Sequence, residues 1–203
     1  LNITTAQTYT YDKQGHGLKY TTDPSGLTLK VLYKLSTLVG DAYYTTDLPT
    51  AAGKYNVKVS READAYAAIE ETKVEATSNA PAIEIAPAAI AITTVPTVTA
   101  KLDTKTNRYS FVLSGGAATS LGENVTSKGA FEVLKEVSNE GTSSTLDASV
   151  DITDVSAVDG AVAYTDNLVP VNIKNQYINV AVRFKMKNDA NYNPAATRVR
   201  VLV

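Results

Sequence analysis

The sequence has no cysteine, no tryptophan, a single histidine and only three phenylalanines in 203 residues. Without cysteine there is no disulfide, no thiol nucleophile and no thiolate metal ligand. That leaves the compartment open, since a cytosolic protein and a secreted bacterial β-protein large enough to need no staples both fit. With one histidine, a cluster of imidazole ligands is excluded. His16 lies between Gly15 and Gly17 in a turn-forming run. A nucleophile–base pair needs a partner within hydrogen-bond reach, and no G-x-S-x-G elbow is present to supply one. His16 is therefore expected to be a turn residue whose ring packs locally, and the chain to be non-enzymatic and to carry no cofactor. Charge of one sign is also missing: 19 Lys and Arg against 21 Asp and Glu leave a net charge of -2. Such a balance gives no drive toward nucleic acid or an anionic bilayer. No run of 18 apolar residues occurs, so no membrane-spanning segment is expected. Leu1 in place of a methionine reads as a trimmed or processed product whose leader, if any, has been removed.

What fills the chain is Thr, Val, Ala and 12 tyrosines, within a hydrophobic fraction of 44%. That composition suits half-buried sheets with wet faces. The clearest pattern lies at the end. Ile178, Val180, Val182, Phe184 and Met186 alternate with Asn179, Ala181, Arg183, Lys185 and Lys187, and Val199, Val201 and Val203 alternate with Arg198 and Arg200. Period two buries one face of a pleated strand and wets the other. The intervening 188–194 run is dense in Asn, Asp and Pro, which favour turns. A shorter version comes earlier. Tyr55, Val57 and Val59 alternate with Asn56 and Lys58, and Thr72–Ala76 matches Thr197–Val201 in residue type. The pattern predicts two β-modules, each closed by a similar hairpin.

Other strands are expected over Asn2–Tyr11, from Leu18, over Leu27–Tyr33, and in a hairpin formed by Val98–Leu102 and Tyr109–Leu113. The segment from Arg61 to Ala76 is open. Its residues are strong helix formers, but its end reads as a strand. Phe131, Leu134 and Val137 have helical spacing, and Phe131, Val133 and Lys135 fit a strand equally. Pro81, Pro87 and Pro96 surround Ile83–Ile85 and Ile90–Ile92, which points to edge strands and a junction between modules. Short strands without βα alternation predict an all-β fold. We expect two tandem antiparallel Ig-like β-sandwich domains, 1–90 and 91–203. The alternative is a β-grasp-like first domain with one short helix over Arg61–Glu71.

Eight tyrosines precede residue 67, and rings with a polar tip suit sugar or protein contacts. Most are expected to be core; Tyr43 and Tyr44 are the candidate surface pair. Arg183, Lys185, Lys187, Arg198 and Arg200 share one face if the terminal strands pair. Such a stripe meets an acidic glycan or else maintains solubility at an exposed sheet. Asp147, Asp151, Asp154 and Asp159 lack the spacing of a calcium loop and are expected to be solvated carboxylates, so no metal site is assigned.

Several segments bear a family likeness. They are Thr10-Tyr11-Asp12 with His16-Gly17-Leu18, Pro49 with Ala52-Gly53-Lys54-Tyr55-Asn56-Val57, Tyr66, the Ile83–Ala88 segment, and Asp189-Ala190-Asn191-Tyr192-Asn193. Together they resemble the MBG-type, mostly-β repeats of bacterial surface and adhesin proteins, over about half of the chain. Lys13 stands where a glycine commonly follows the Tyr-Asp pair, and 95–168 has no opening motif of its own. The resemblance implies an extracellular, cell-surface protein that is exported and lipid- or wall-anchored, with neighbouring β domains in a longer chain. It also implies adhesion or scaffolding toward a host or bacterial surface glycan or protein. A carbohydrate-binding accessory module of a glycan-uptake system is the alternative.

Overall fold

The computed structural model describes residues 2–3, 7–61, 69–74, 82–105, 108–141, 147–151, 155–158, 161–164 and 177–202. Over these the chain is mostly β, with two 3₁₀ turns, Asp41–Tyr43 and Thr126–Lys128. Among the described residues, no helix is long and apolar enough to cross a membrane. Two compact units are present. The first comprises Leu1–Ala88 with Ala190–Tyr192; the second comprises Ala89–Asp189 with Asn193–Val203.

The strands of the N-terminal part are β1 (Asn2–Ile3), β2 (Gln7–Thr10), β3 (Tyr20–Thr21), β4 (Lys30–Leu35), β5 (Gly53–Arg61), β6 (Ile69–Val74), β7 (Ile83–Ala86) and β8 (Ala88–Ala89). The sheet of the first unit runs β2-β7-β5-β4, and β6 pairs with β5 as well. The nine-residue β5 organises it. One edge carries β4, from Leu35 opposite Tyr55 to Lys30 opposite Ser60. The other edge is shared end to end, by β7 along Gly53–Tyr55 and by β6 along Val57–Arg61. Val57, Val59, Ile83 and Ile85 are at most 1% exposed, and each such aliphatic chain contributes about 1.5–3 kcal/mol by burial. Tyr33 and Tyr55 join them, with Tyr9, Tyr11 and Tyr20 packed around the rim. Tyrosine replaces the missing tryptophan, and its hydroxyl serves the loops: Tyr33 Oη accepts the Leu18 N–H at 3.1 Å, and Tyr55 donates to Ala51 O at 2.8 Å. Burial pushes both phenols above their ordinary pKa.

Four expectations are corrected in this unit. The proline-flanked Ile83–Ala86 is no edge: β7 lies between β2 and β5. Positions 81 and 87 fall outside its four residues, so every ladder N–H is kept. The sheet is not wholly antiparallel, because β2 runs parallel to β7, from Gln7 opposite Ile83 to Thr10 opposite Ala86. The face that alternation gives to water is covered, since Lys34, Asn56 and Lys58 are only 7–8% exposed. The helix considered for 61–71 gives way to strand at both ends, with Arg61 closing β5 and Ile69 opening β6. Residues 62–68, Tyr66 among them, lie outside the described residues.

The remaining strands are β9 (Ala91–Thr94), β10 (Thr97–Asp103), β11 (Arg108–Ser114), β12 (Ala117–Ser120), β13 (Glu123–Asn124), β14 (Gly129–Gly141), β15 (Asp147–Asp151), β16 (Val155–Val158), β17 (Ala161–Tyr164), β18 (Tyr177–Met186), β19 (Tyr192–Asn193) and β20 (Ala195–Leu202). The second unit holds a β10-β11-β17-β16 sheet, a β15-β14-β18-β20 sheet and a small β13-β12-β9 sheet. The expected β10/β11 hairpin forms, with Val98 opposite Leu113 and Asp103 opposite Arg108. Phe131 is in a strand: thirteen-residue β14 pairs with β18, and Phe131 lies opposite Phe184 with the rings edge to face at 5.0 Å. Gly116 has a φ of +91°, and a Cβ there would meet the Phe131 ring at 2.6 Å, so both backbone and packing require glycine.

The two halves share a pairing pattern. In the first, Val59 faces Thr72 and Val57 faces Val74; in the second, Val182 faces Thr197 and Val180 faces Val199. On the opposite side of these central strands, Val59 pairs with Val31 and Val182 with Val133.

Candidate functional site

Tyr43 and Tyr44 lie on the connection between β4 and β5, in and just after the 3₁₀ turn Asp41–Tyr43. The connection is tied to the sheet by a bridge in which Tyr33 N–H donates to Thr45 O at 2.8 Å and Thr45 N–H returns to Tyr33 O at 2.9 Å. Adjacent side chains in an extended exit point apart, and the two tyrosines have different fates. Tyr43 is 53% exposed. Tyr44 is half-buried, with Lys34 Nζ 4.9 Å and Lys58 Nζ 4.6 Å from its ring centroid. Lys58 also pairs with Asp41 at 3.0 Å, and Lys34 donates to Gly40 O at 3.3 Å. Two ammonium groups over one ring, with a carboxylate and a carbonyl beside them, explain how lysines remain in a covered face. Of the predicted surface pair, Tyr43 faces solvent and Tyr44 holds the connection down.

The basic stripe forms on the hairpin of β18 and β20. The register places Ala181 opposite Arg198 and Asn179 opposite Arg200. Arg183, Lys185, Arg198 and Arg200 therefore share one face, and Lys187 follows in the turn just past the end of β18. Lys185, Lys187, Arg198 and Arg200 are exposed and Arg183 is half-buried, while Val180, Val182, Phe184 and Met186 on the other face are buried. β14 supplies a counter-charge that sequence spacing could not reveal. Glu132 lies opposite Arg183 and accepts from its Nε at 2.6 Å and from its Nη2.

His16 is fixed locally. Its ring stacks on Tyr9 with centroids 4.2 Å apart, and Nε2 meets Asp12 Oδ1 at 2.9 Å. Asp12 is held below the ordinary carboxylate pKa, chiefly by the N–H of Gln14, with His16 adding to it. Lys13 has a φ of +69°, a conformation that suits glycine. The 188–194 connection turns as predicted but also carries the short strand β19, and three of its residues, Ala190–Tyr192, belong to the first unit. Asn191 Oδ1 accepts the Ala52 N–H at 2.6 Å, Asn191 O accepts the Ala88 N–H at 2.8 Å, and Tyr192 meets Tyr11 edge to face at 5.4 Å. Sequence reasoning missed these contacts because the partners are far apart in the chain. Among the described residues, no group of three or more His, Asp or Glu is placed to hold a metal. Asp154 and Asp159 lie outside the described residues.

A scan against protein-family models finds no match for this chain, and searches of curated proteins and of solved structures find none either.

Proposed function

We propose that the chain is a non-enzymatic bacterial cell-surface adhesion or scaffold module, one β segment of a longer exported protein, and that it makes contact through loops and a tyrosine-bearing surface. The observation that carries this reading is the exposed Tyr43 on a connection fastened at both sides, by the Thr45 bridge and by Tyr44 over two lysines. A rigidly held aromatic ring with a polar tip loses little entropy when it meets a partner. The basic face of β18 and β20 is the second contact surface. Its charge steers an acidic glycan or protein toward the sheet. The matched register of β5 with β6 and of β18 with β20 is in keeping with a chain built from related β-modules.

The test is adhesion of beads coated with the protein to bacterial and host cells, alongside a glycan array. Tyr43→Ala is expected to lower the retained beads several-fold, and Lys185→Glu with Lys187→Glu to lower them further at low salt. Beads that bind no cell and no glycan would remove the adhesive role. Binding unaffected by all three substitutions would remove the assigned surfaces.

A further inference from the structure

The first unit has two hollows of about 460 and 400 Å³. Both border Thr28 and lie along the Tyr20–Thr28 loop and the paired ends of β4 and β5, an open surface trough in two parts. The first hollow is lined by Tyr20, by four hydroxyl-bearing residues (Thr21, Thr22, Ser25 and Thr28), and by Gly26 and Leu27. The second adds Ser60 and two cations, Lys30 and Arg61. The loop is braced from within: Thr22 Oγ1 accepts the Leu27 N–H at 3.1 Å, and Leu29 is buried in the core. The hydroxyls of Thr21, Ser25, Thr28 and Ser60 make no side-chain hydrogen bond among the described residues. Gly26 has a φ of +83° and open space where a Cβ would stand, which leaves the backbone accessible at the loop's tip.

We propose that this trough binds an acidic saccharide, of the class of uronate-bearing oligosaccharides. Hydroxyl side chains both donate and accept, which suits a polyol that does the same on every carbon. An apolar ligand would stay wet in so open a trough, whereas a sugar keeps its outer hydroxyls in water. Tyr20 supplies an aromatic surface with a polar tip. Either hollow is large enough for a sugar ring, and an inorganic anion would use little of it. Arg61 is engaged elsewhere in the chain, so the exposed Lys30 is the group that meets the carboxylate. This site is independent of the Tyr43 and β18–β20 surfaces.

The experiment uses the full ¹⁵N-labelled chain and four probes: tetragalacturonate, a hyaluronan tetrasaccharide, neutral tetragalactose and inorganic phosphate. At least one acidic tetrasaccharide is expected to shift the amides of 21–23, 25–28 and Ser60, and tetragalactose to bind at least about tenfold more weakly, the loss of one charge-assisted contact. Lys30→Gln is expected to weaken the acidic sugar by a similar factor and Thr28→Val by a few-fold, while Tyr43→Ala changes nothing here. Lys30 is exposed, so its replacement leaves the folded spectrum intact, and Thr28→Val provides a second reading. The proposal is overturned if neither acidic sugar shifts these amides, if shifts appear only on β18 and β20, if tetragalactose binds equally, or if phosphate alone reproduces the response.

Discussion

Removing the Tyr44 ring while keeping its apolar bulk separates the lysine contacts from ordinary burial. Tyr44→Leu does this, and Tyr44→Phe, which retains the ring, is its control. Lys34 and Lys58 lie 4.9 and 4.6 Å from the ring centroid and are only 8% and 7% exposed. Cation–π contacts are worth about 0.5–1 kcal/mol when exposed and about 2 kcal/mol when desolvated. At about 1 kcal/mol each, the pair gives about 2 kcal/mol. The Lys58–Asp41 bridge adds little, because Asp41 is 61% exposed and solvent screens it. Opening of the 40–45 connection is reported by the Tyr33 and Thr45 amides, which bond to each other. Hydrogen exchange at these two amides should therefore speed up about thirtyfold in Tyr44→Leu, the equivalent of about 2 kcal/mol. It should change by less than about threefold in Tyr44→Phe. A double-mutant cycle with Lys58→Met should give a coupling of about 1 kcal/mol. Equal exchange in the Leu and Phe variants, or a coupling near zero, would show that the lysines are held by something other than the ring.

Tyr33→Phe should cost about 1–3 kcal/mol in urea unfolding, because it strands the buried N–H of Leu18; Tyr43→Phe, at an exposed ring, should cost almost nothing. The Asp12 carboxyl should titrate below 3.8 by ¹³C NMR, since the Gln14 N–H favours its charged form. A depressed acid stabilises the fold above its unfolded pKa, and that contribution is lost as pH falls through the lower folded value. A midpoint at or above 3.8 would contradict the turn geometry. Lys13→Gly should be neutral to stabilising by up to about 1 kcal/mol, because relief of the left-handed strain at φ +69° exceeds the added chain entropy; a clear loss would show that the lysine side chain holds the turn.

The β character and the faces of the terminal hairpin were legible in the sequence by itself. Val180, Val182, Phe184 and Met186 are buried and Lys185 and Lys187 exposed, as the alternation required, because a pleated strand sends successive side chains to opposite sides whatever packs on it. The β10/β11 hairpin was also legible, from two strand-like runs flanking a short polar turn. What covers the second face of a sheet is not local. The lysines at 34 and 58 look solvated until the Gly40–Tyr44 connection lies over them. The place of β7 between β2 and β5 depends on which distant strands arrive at its two edges. At 131, helical and strand spacing competed evenly until β18 supplied the ladder that decided it. The hydroxyl-bearing 20–28 run reads as two strand ends with a turn between them, and only its meeting with the ends of β4 and β5 makes it the wall of a trough. Sequence sets the period along each strand, whereas neighbours and coverage come from contacts between residues far apart in the chain, which no short-range pattern encodes.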